Sequence, residues 1–438
     1  MSEPARESAA ATSFRTNLWV STAYFAEGMP YALVRFLAGV YLTDIGIALP
    51  TLGRINFWLS LPWNLKFLWA PAVDIYATRR RWFLALQFGL VLSALALAAG
   101  VAFGPPLAPA GVAVAGLTQS PAVRAILALL VVMAALSATH DVAIDAFYME
   151  AIPDPAVAAG LTGIRNVAYR LAVLFVKSGL VWLAGYAAWT WSFVGGALAL
   201  LILWSLHLFL LPIPPERPVV ASNMGAALSG FRQAFGTFVR QPQAALILLF
   251  LVTYKLGDEV MFSVNTPFLK RDLGVGNEDL SWIAGIVGTW ASIGGSLLSA
   301  WAIRHWGWRK AVWPLTLGMN VNILAYVWLA WAHPDPHTAS GLATIAVVHA
   351  YEQIAAGLGN AVLVVYIMRI CDVRFKAAHY AIGSAIAPLG GTLFNYVSGD
   401  IVVKMGYANM YLLAFVCAIP AMICLRWLPM YEPEGAAR

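Results

Sequence analysis

The sequence predicts an all-α polytopic membrane protein of twelve transmembrane helices in two six-helix halves, and three observations carry that expectation. Hydrophobic residues make up 61% of the 438-residue chain and charged residues 11%, against about a quarter charged in soluble domains. Apolar segments long enough for a helix of about 20 residues to cross a hydrocarbon layer of about 30 Å recur along the whole chain. Lys and Arg gather in alternate connections, the asymmetry that sets orientation.

The first span covers 17–42 and contains YFAEGMPYALV, in which Gly28 and Pro30 loosen the helix beside Glu27. No cleavable leader is expected there, because the segment is long, lacks a small-residue cleavage site and carries Glu27 and Arg35. The second span, 53–74, holds LPWNLKFLWAPAVD and sets Lys66 among aromatics, where it either attracts an anionic solute or snorkels and pairs with an acid. A basic turn follows, with Asp74 before Arg79, Arg80 and Arg81. Spans three to six cover 82–104, 123–150, 158–186 and 189–211. The fourth ends in ATHDVAIDAFYMEA, and the fifth carries GIRNVAYR and Lys177, with Arg170 and Lys177 about 20° apart around the helix.

Residues 213–242 form the longest polar interruption, opening with prolines and continuing with Leu228, Phe231, Phe235 and Phe238 at helical spacing. Either a helix on the inner membrane surface or a flexible linker is expected there. The remaining spans are 243–269, 280–303, 311–332, 342–369, 376–403 and 408–428. The seventh holds Lys255, Asp258 and Glu259 at pairing distance within one helix, and the tenth holds His349 and Glu352. The turn between spans eight and nine, SAWAIRHWGWRKAVW, repeats the basic turn of the first half through Arg309 and Lys310. Such a repeat marks an internally duplicated transporter.

With a cytoplasmic N-terminus, inside connections hold Arg79 to Arg81, Arg232, Arg240, Arg309 and Lys310, and outside ones only Arg54, Arg124, Lys270, Arg271 and Lys404. Tails 1–16 and 429–438 are therefore both expected inside. This topology accounts for the net charge of +6, which is not read as a nucleic-acid signal. Cys371, Cys417 and Cys424 have no metal-type spacing and read as reduced thiols, and neither a cofactor nor a metal is expected.

Two six-helix halves with matched basic turns indicate a major facilitator architecture, in which the first, fourth, seventh and tenth helices line a central cavity. The charged residues follow that assignment: Glu27 and Arg35, then His140, Asp141, Asp145 and Glu150, then Lys255, Asp258 and Glu259, then His349 and Glu352. A charge in lipid costs at least about 2.5 kcal/mol, so such groups point at water or at partners. Asp141 and Asp145 lie about 40° apart on one helical face. They are candidates for proton coupling, for pairing with Arg165 or Arg170, or for solute contact. Glu352 joins them as a proton-coupling candidate, and Glu27, Tyr31, Lys66, His140, Arg165, Arg170, Lys255 and His349 are candidates for binding solute. A metal site fits poorly, since His140 and Asp145 are on different faces. A membrane enzyme is disfavoured for want of a nucleophile, metal set or phosphate loop, and a sensor is the third class.

Together YFAEGMPYALV, LPWNLKFLWAPAVD, ATHDVAIDAFYMEA, GIRNVAYR and HYAIGSAIAPLGG resemble the AmpG-type muropeptide permeases and the wider family that includes acetyl-coenzyme A transporters. The resemblance implies a secondary transporter, not an enzyme. It implies proton-driven import of a sugar-containing cell-wall fragment across the bacterial inner membrane by a monomer, with Asp141 and Asp145 matching the family's acidic fourth-span motif. Its partners would be a small-molecule solute, protons and the lipid bilayer, with no nucleic acid.

The charge asymmetry yields a direct test. Single cysteines placed at Arg79 to Arg81 or in 213–242 are expected to resist membrane-impermeant thiol reagents in intact cells. Labelling from outside would reverse the orientation.

Overall fold

A computed structural model describes residues 3–109, 111–213, 224–372 and 376–429, and no strand occurs among them. Twelve helical segments run in the expected order. Segment α1 comprises Glu3–Ala32, a π-helical turn Leu33–Leu37 and Ala38–Asp44. Segment α2 is Leu49–Leu65, continued by the short turns Lys66–Leu68 and Ala70–Ile75. Segments α3 (Arg79–Ala102) and α4 (Pro121–Ala151) are unbroken. Segment α5 comprises Pro155–Leu174, the π-turn Phe175–Leu180 and Val181–Tyr186, and α6 is Trp189–Leu210.

Segment α7 comprises Ala244–Tyr254, Leu256–Pro267 and the π-turn Phe268–Asp272. Segment α8 comprises Asn277–Leu280, Ser281–Val287 and Gly288–Trp306, and α9 comprises Trp308–Val321 and Ile323–Ala332. Segment α10 is Ala339–Ile370, and α11 runs from Lys376–Ile386 into the helix Leu389–Cys424. That helix breaks at Gly406, whose φ of 80° only glycine adopts without strain. We number 407–424 as α12. Gly307, at φ 76°, likewise lets α9 begin directly after α8.

Eight continuous stretches among the described residues are long and apolar enough to span a bilayer, the longest, His379–Cys424, holding α11 and α12 together. The helices outside this set are α1, α2 and α7, which carry Glu27 and Arg35, Arg54 and Lys66, and Lys255 with Asp258 and Glu259. Segment α1 begins well before its apolar part, because residues 3–16 are rich in Ala, Glu and Arg, which favour helix. Pro30 sits inside it without breaking it, and the backbone widens just beyond, at Leu33–Leu37.

Contacts group the chain into two compact units. The first takes Met1–Ala38, Leu68–Pro105 and Thr118–Met224, and the second takes Gly39–Phe67, Pro106–Leu117 and Gly225–Arg438. The first packs around Trp19, Tyr24, Phe83, Phe147 and Tyr148. There Gly28 lets α1 approach α5 so closely that a Cβ would stand 2.9 Å from the Tyr169 carbonyl oxygen. The second packs around Phe250, Tyr254, Trp308, Tyr366 and Ile367. Most of α2 belongs to it: Gly53 and Gly399 let backbones of α2 and α11 touch, and Asn64 Nδ2 donates to Thr392 Oγ1 at 2.7 Å.

The linker expected to be either helix or coil is helical over Met224–Val239. Its Phe238 is buried edge-on against the His379 ring, so it joins the core of the second unit. The side chains of Leu228 and Phe231 lie outside the described residues.

Segments α8 and α10 cross at Gly295 and Gly357, where a methyl group on either would strike backbone of the other helix, whereas Gly294 faces open space. Small residues at such crossings replace hydrophobic drive with close packing. Gly295→Ala is expected to lower the thermal midpoint in detergent, with an overpacking penalty of about 1–3 kcal/mol. Gly294→Ala is expected to leave it unchanged. Equal midpoints for the two variants would refute the contact.

Candidate functional site

In the first unit the paired carboxylates of α4 have different surroundings. Asp145 Oδ1 accepts from the Tyr24 hydroxyl at 2.7 Å and from Arg165 Nη2 at 2.9 Å. The Arg165 guanidinium lies 4.2 Å from the centroid of the Tyr24 ring and 4.4 Å from that of Tyr148, so two aromatic faces and a carboxylate hold one cation. This joins α1, α4 and α5. One turn earlier, Asp141 belongs to a second group: Tyr169 on α5 is in electrostatic reach of Tyr31, Glu27, Asp141 and Arg170, and the Tyr31 and Tyr169 rings are 6.4 Å apart. Lys177 lies in the π-turn of α5, 4.8 Å above the Phe36 ring.

His140 requires a correction. It is fully buried on the far side of α4, edge-on to Phe83, whose ring also meets His207 edge-on. Its neighbours are α3 and α6, and neither ring nitrogen has a hydrogen-bond partner. It therefore stands apart from Asp141 and Asp145, and we do not carry it into the binding set. The 100° turn between neighbouring helical residues already separated His140 from Asp141.

The basic turn is tied down on three sides. Arg79 reaches Glu150 at 3.8 Å, Arg80 Nη2 donates to the Leu208 carbonyl at 3.0 Å, and Thr78 caps α3 by accepting from the Arg81 amide. The Asp74 side chain lies outside the described residues. In the matching turn of the second half, Arg309 and Lys310 are exposed at the start of α9.

In the second unit Lys66 is half-buried in the turn that ends α2. Lys255 is held by Asp258 at 3.1 Å, as the spacing predicts, and by Asn360 Oδ1 at 2.8 Å. His349 and Glu352, both buried on α10, lie 3.4 Å apart. His349 Nδ1 is also 2.9 Å from the Tyr326 hydroxyl of α9. The Asn265 amide of α7 donates toward the Tyr326 oxygen, and the Tyr411 hydroxyl of α12 donates to Asn265 Oδ1 at 3.0 Å. Gln353 Nε2 donates to both Glu352 oxygens, at 3.1 and 2.8 Å. Sequence reasoning passed over Tyr326, Asn265 and Tyr411 because they are neutral and far apart in the chain.

The end of α7 forms a further cluster. Lys270 Nζ is 3.1 Å from Asp44 and 2.6 Å from Asn277 Oδ1, and Asn277 Nδ2 donates to Asp44 at 2.8 Å. Arg271 donates to the carbonyl oxygens of Thr43 and Ile47, the latter at 2.7 Å. Arg54 and Asp400 pair at 3.1 Å between α2 and α11. Burial pushes the Asp272 carboxyl above its ordinary range, opposed by His333 at 3.4 Å. Burial also lowers the Arg271 guanidinium, which Tyr407 and Asp44 support.

No family model matches the chain. An uncharacterized protein of Haemophilus influenzae is 31% identical over 424 residues, covering 94% of each chain. The anhydromuropeptide permease of Escherichia coli K12 is 30% identical over 412 residues, or 92% of this chain and 77% of its own. A putative transporter AmpG 4 of Rickettsia conorii is 24% identical over 92% of this chain and 94% of its own. Among solved structures, a D-xylose–proton symporter superposes with a TM-score of 0.70 at 13% identity, covering 97% of this chain and 99% of its own. A variant of the nucleoside transporter NupG gives 0.67 at 13% identity, covering 94% and 99%. The structural likenesses establish a major facilitator fold, and the identity sustained along nearly the whole chain places the protein in the AmpG anhydromuropeptide permease family of multi-pass membrane transporters.

Proposed function

We propose that this transporter imports sugar-containing cell-wall fragments, anhydro-muropeptides or related amino-sugar fragments, across the bacterial inner membrane, driven by protons and acting as a monomer with both termini cytoplasmic. The observation that carries this reading is the group around Tyr169 in the first unit, where Glu27, Tyr31, Asp141 and Arg170 bring both signs of charge to two tyrosine rings. A sugar stacks on an aromatic face, and a peptide carboxylate prefers a guanidinium, so a muropeptide uses each kind of group. The name of the Escherichia coli relative supports the same solute class. A coenzyme A ester would demand more positive charge than these residues provide, and a neutral monosaccharide would leave Arg170 without a role.

Lys66, Lys255 and His349 are further candidates for the solute, and Asp141, Asp145 and Glu352 for the proton. Within that set the Arg165 partnership gives Asp145 a helix-holding role, and the basic turns at Arg79 to Arg81 and at Arg309 and Lys310 serve conformational change.

Purified protein in liposomes, offered anhydro-muropeptides, amino sugars, short peptides and coenzyme A esters under an imposed pH gradient, tests the reading. Anhydro-muropeptides are expected to accumulate. Arg170→Ala is expected to weaken acidic ligands by roughly tenfold or more, the worth of a charge-assisted hydrogen bond, and neutral sugars much less. Equal loss for both would make Arg170 structural. Failure of every cell-wall fragment to bind would remove the solute assignment and leave the family membership standing.

A second measurement addresses Asp145. Arg165→Gln and Asp145→Asn are each expected to destabilise the detergent-solubilised protein. The double variant should recover part of the loss, on the order of 1 kcal/mol for a pair this exposed. Strict additivity would mean the two side chains do not support one another.

A further inference from the structure

The buried polar network of the second unit does more than fill space. Glu352, 2% exposed, is a carboxyl group in a packed helical interior, and the charged form of such a group is expensive to keep there. It meets the imidazole of His349 and the amide of Gln353. The imidazole has been given room: a Cβ at Gly288 of α8 would stand 3.1 Å from His349 Nε2. The other titratable groups facing the network are Tyr326 from α9, Tyr407 and Tyr411 from α12 and Asp272 from the end of α7, the last opposed by His333.

Tyr326 is the hinge of the arrangement. Its hydroxyl stands between His349 Nδ1, which either accepts its proton or donates to its oxygen, and the Asn265 amide, which donates to that oxygen. When Nδ1 is bare, the hydroxyl donates to it. When a proton entering from solvent occupies Nδ1, shared with Glu352, the hydroxyl proton must swing away, its oxygen turns to the imidazolium in competition with the Asn265 amide, and the pair changes from net negative to neutral. Asn265 is three residues from Phe268, whose ring packs against Tyr326, Tyr407 and Tyr411 at 6.3, 5.1 and 5.3 Å. Phe268 opens the π-turn that carries Lys270 and Arg271, a backbone form common at functional sites. The proton pair and the Asp44–Lys270 cluster are thus joined through α7, within one compact unit.

The geometry points to a proton-operated latch: Glu352 and His349 take up the coupling proton, and Tyr326 and Asn265 pass its presence to α7, whose Lys270 and Arg271 fasten Thr43, Asp44 and Ile47. This assignment rests on the proposed proton-driven import but is independent of the solute. An importer gains its proton outside, so by linkage the form with the outer latch undone must hold the proton more tightly. Acid then favours the undone latch.

The test needs no solute. Ile47 is buried with its carbonyl under Arg271, so a cysteine there reports on the latch. In protein with Cys371, Cys417 and Cys424 replaced by alanine, the rate at which an impermeant maleimide labels Ile47→Cys in intact cells is measured from pH 8 to pH 5.5. An exposed Glu278→Cys protein normalises for thiol ionisation. The normalised rate is expected to rise about fivefold or more toward acid, to lose its pH dependence in Glu352→Gln, and to flatten in Tyr326→Phe, which keeps the proton pair but not the hydroxyl. A flat profile in the parent protein, or an unchanged acid response in both Glu352→Gln and Tyr326→Phe, would overturn the latch. In the liposome assay, proton-driven uptake of some other solute would revise only the cargo.

Discussion

A charge inside a bilayer is costly unless the protein or a water-filled cavity partners it, and most features of this molecule follow from that constraint. Arg165 enters the first unit only because one carboxylate and two tyrosine faces surround it. Lys255 is accompanied by Asp258 and Asn360. Three charge-bearing helices, α1, α2 and α7, are too polar or too interrupted to read as simple apolar rods. Charge and broken backbone meet on α1 and α7, while α6 stays apolar and regular.

Backbone irregularity is distributed in the same way. The π-turns at Leu33–Leu37 and Phe268–Asp272 lie in the C-terminal parts of α1 and α7, and α5 and α8 carry one each. A π-turn leaves carbonyl groups loosely committed, so the segment can rewind at modest cost. Close glycine contacts supply the opposite property. At Gly28, at Gly295 with Gly357, and at Gly53 with Gly399, neighbouring backbones meet with no side chain between them, which fixes where helices cross. The molecule thus alternates rigid crossings with soft turns.

Much of the fold was legible because hydrophobic length and the placement of Lys and Arg are one-dimensional signals. Helical segments in the expected order and the pairing of Lys255 with Asp258 are found as the sequence predicts. What stayed hidden depends on the third dimension. That α2 packs with the second unit is decided by glycines in α2 and α11, more than three hundred residues apart. The face of α4 that carries His140 was computable, but the fact that α3 and α6 close over it was not. The Asp141 and Asp145 motif drew attention by charge, yet only the placed tyrosines show the two carboxylates in different company. Asn265, Tyr326 and Tyr411 carried no signal, because neutral residues in apolar helices are ordinary until their hydroxyls and amide are brought together.

The two ion pairs that tie α1 and α2 to the later helices differ in depth. Arg54 and Asp400 leave 44% and 38% of their side chains exposed, whereas Lys270 and Asp44 leave 10% and 12%. Dissolved ions screen the first pair, and the Debye length of about 8 Å at physiological salt falls further in brine. They have little access to the second. The strength of the inner tie is thus set by the fold and not by the ionic strength around it.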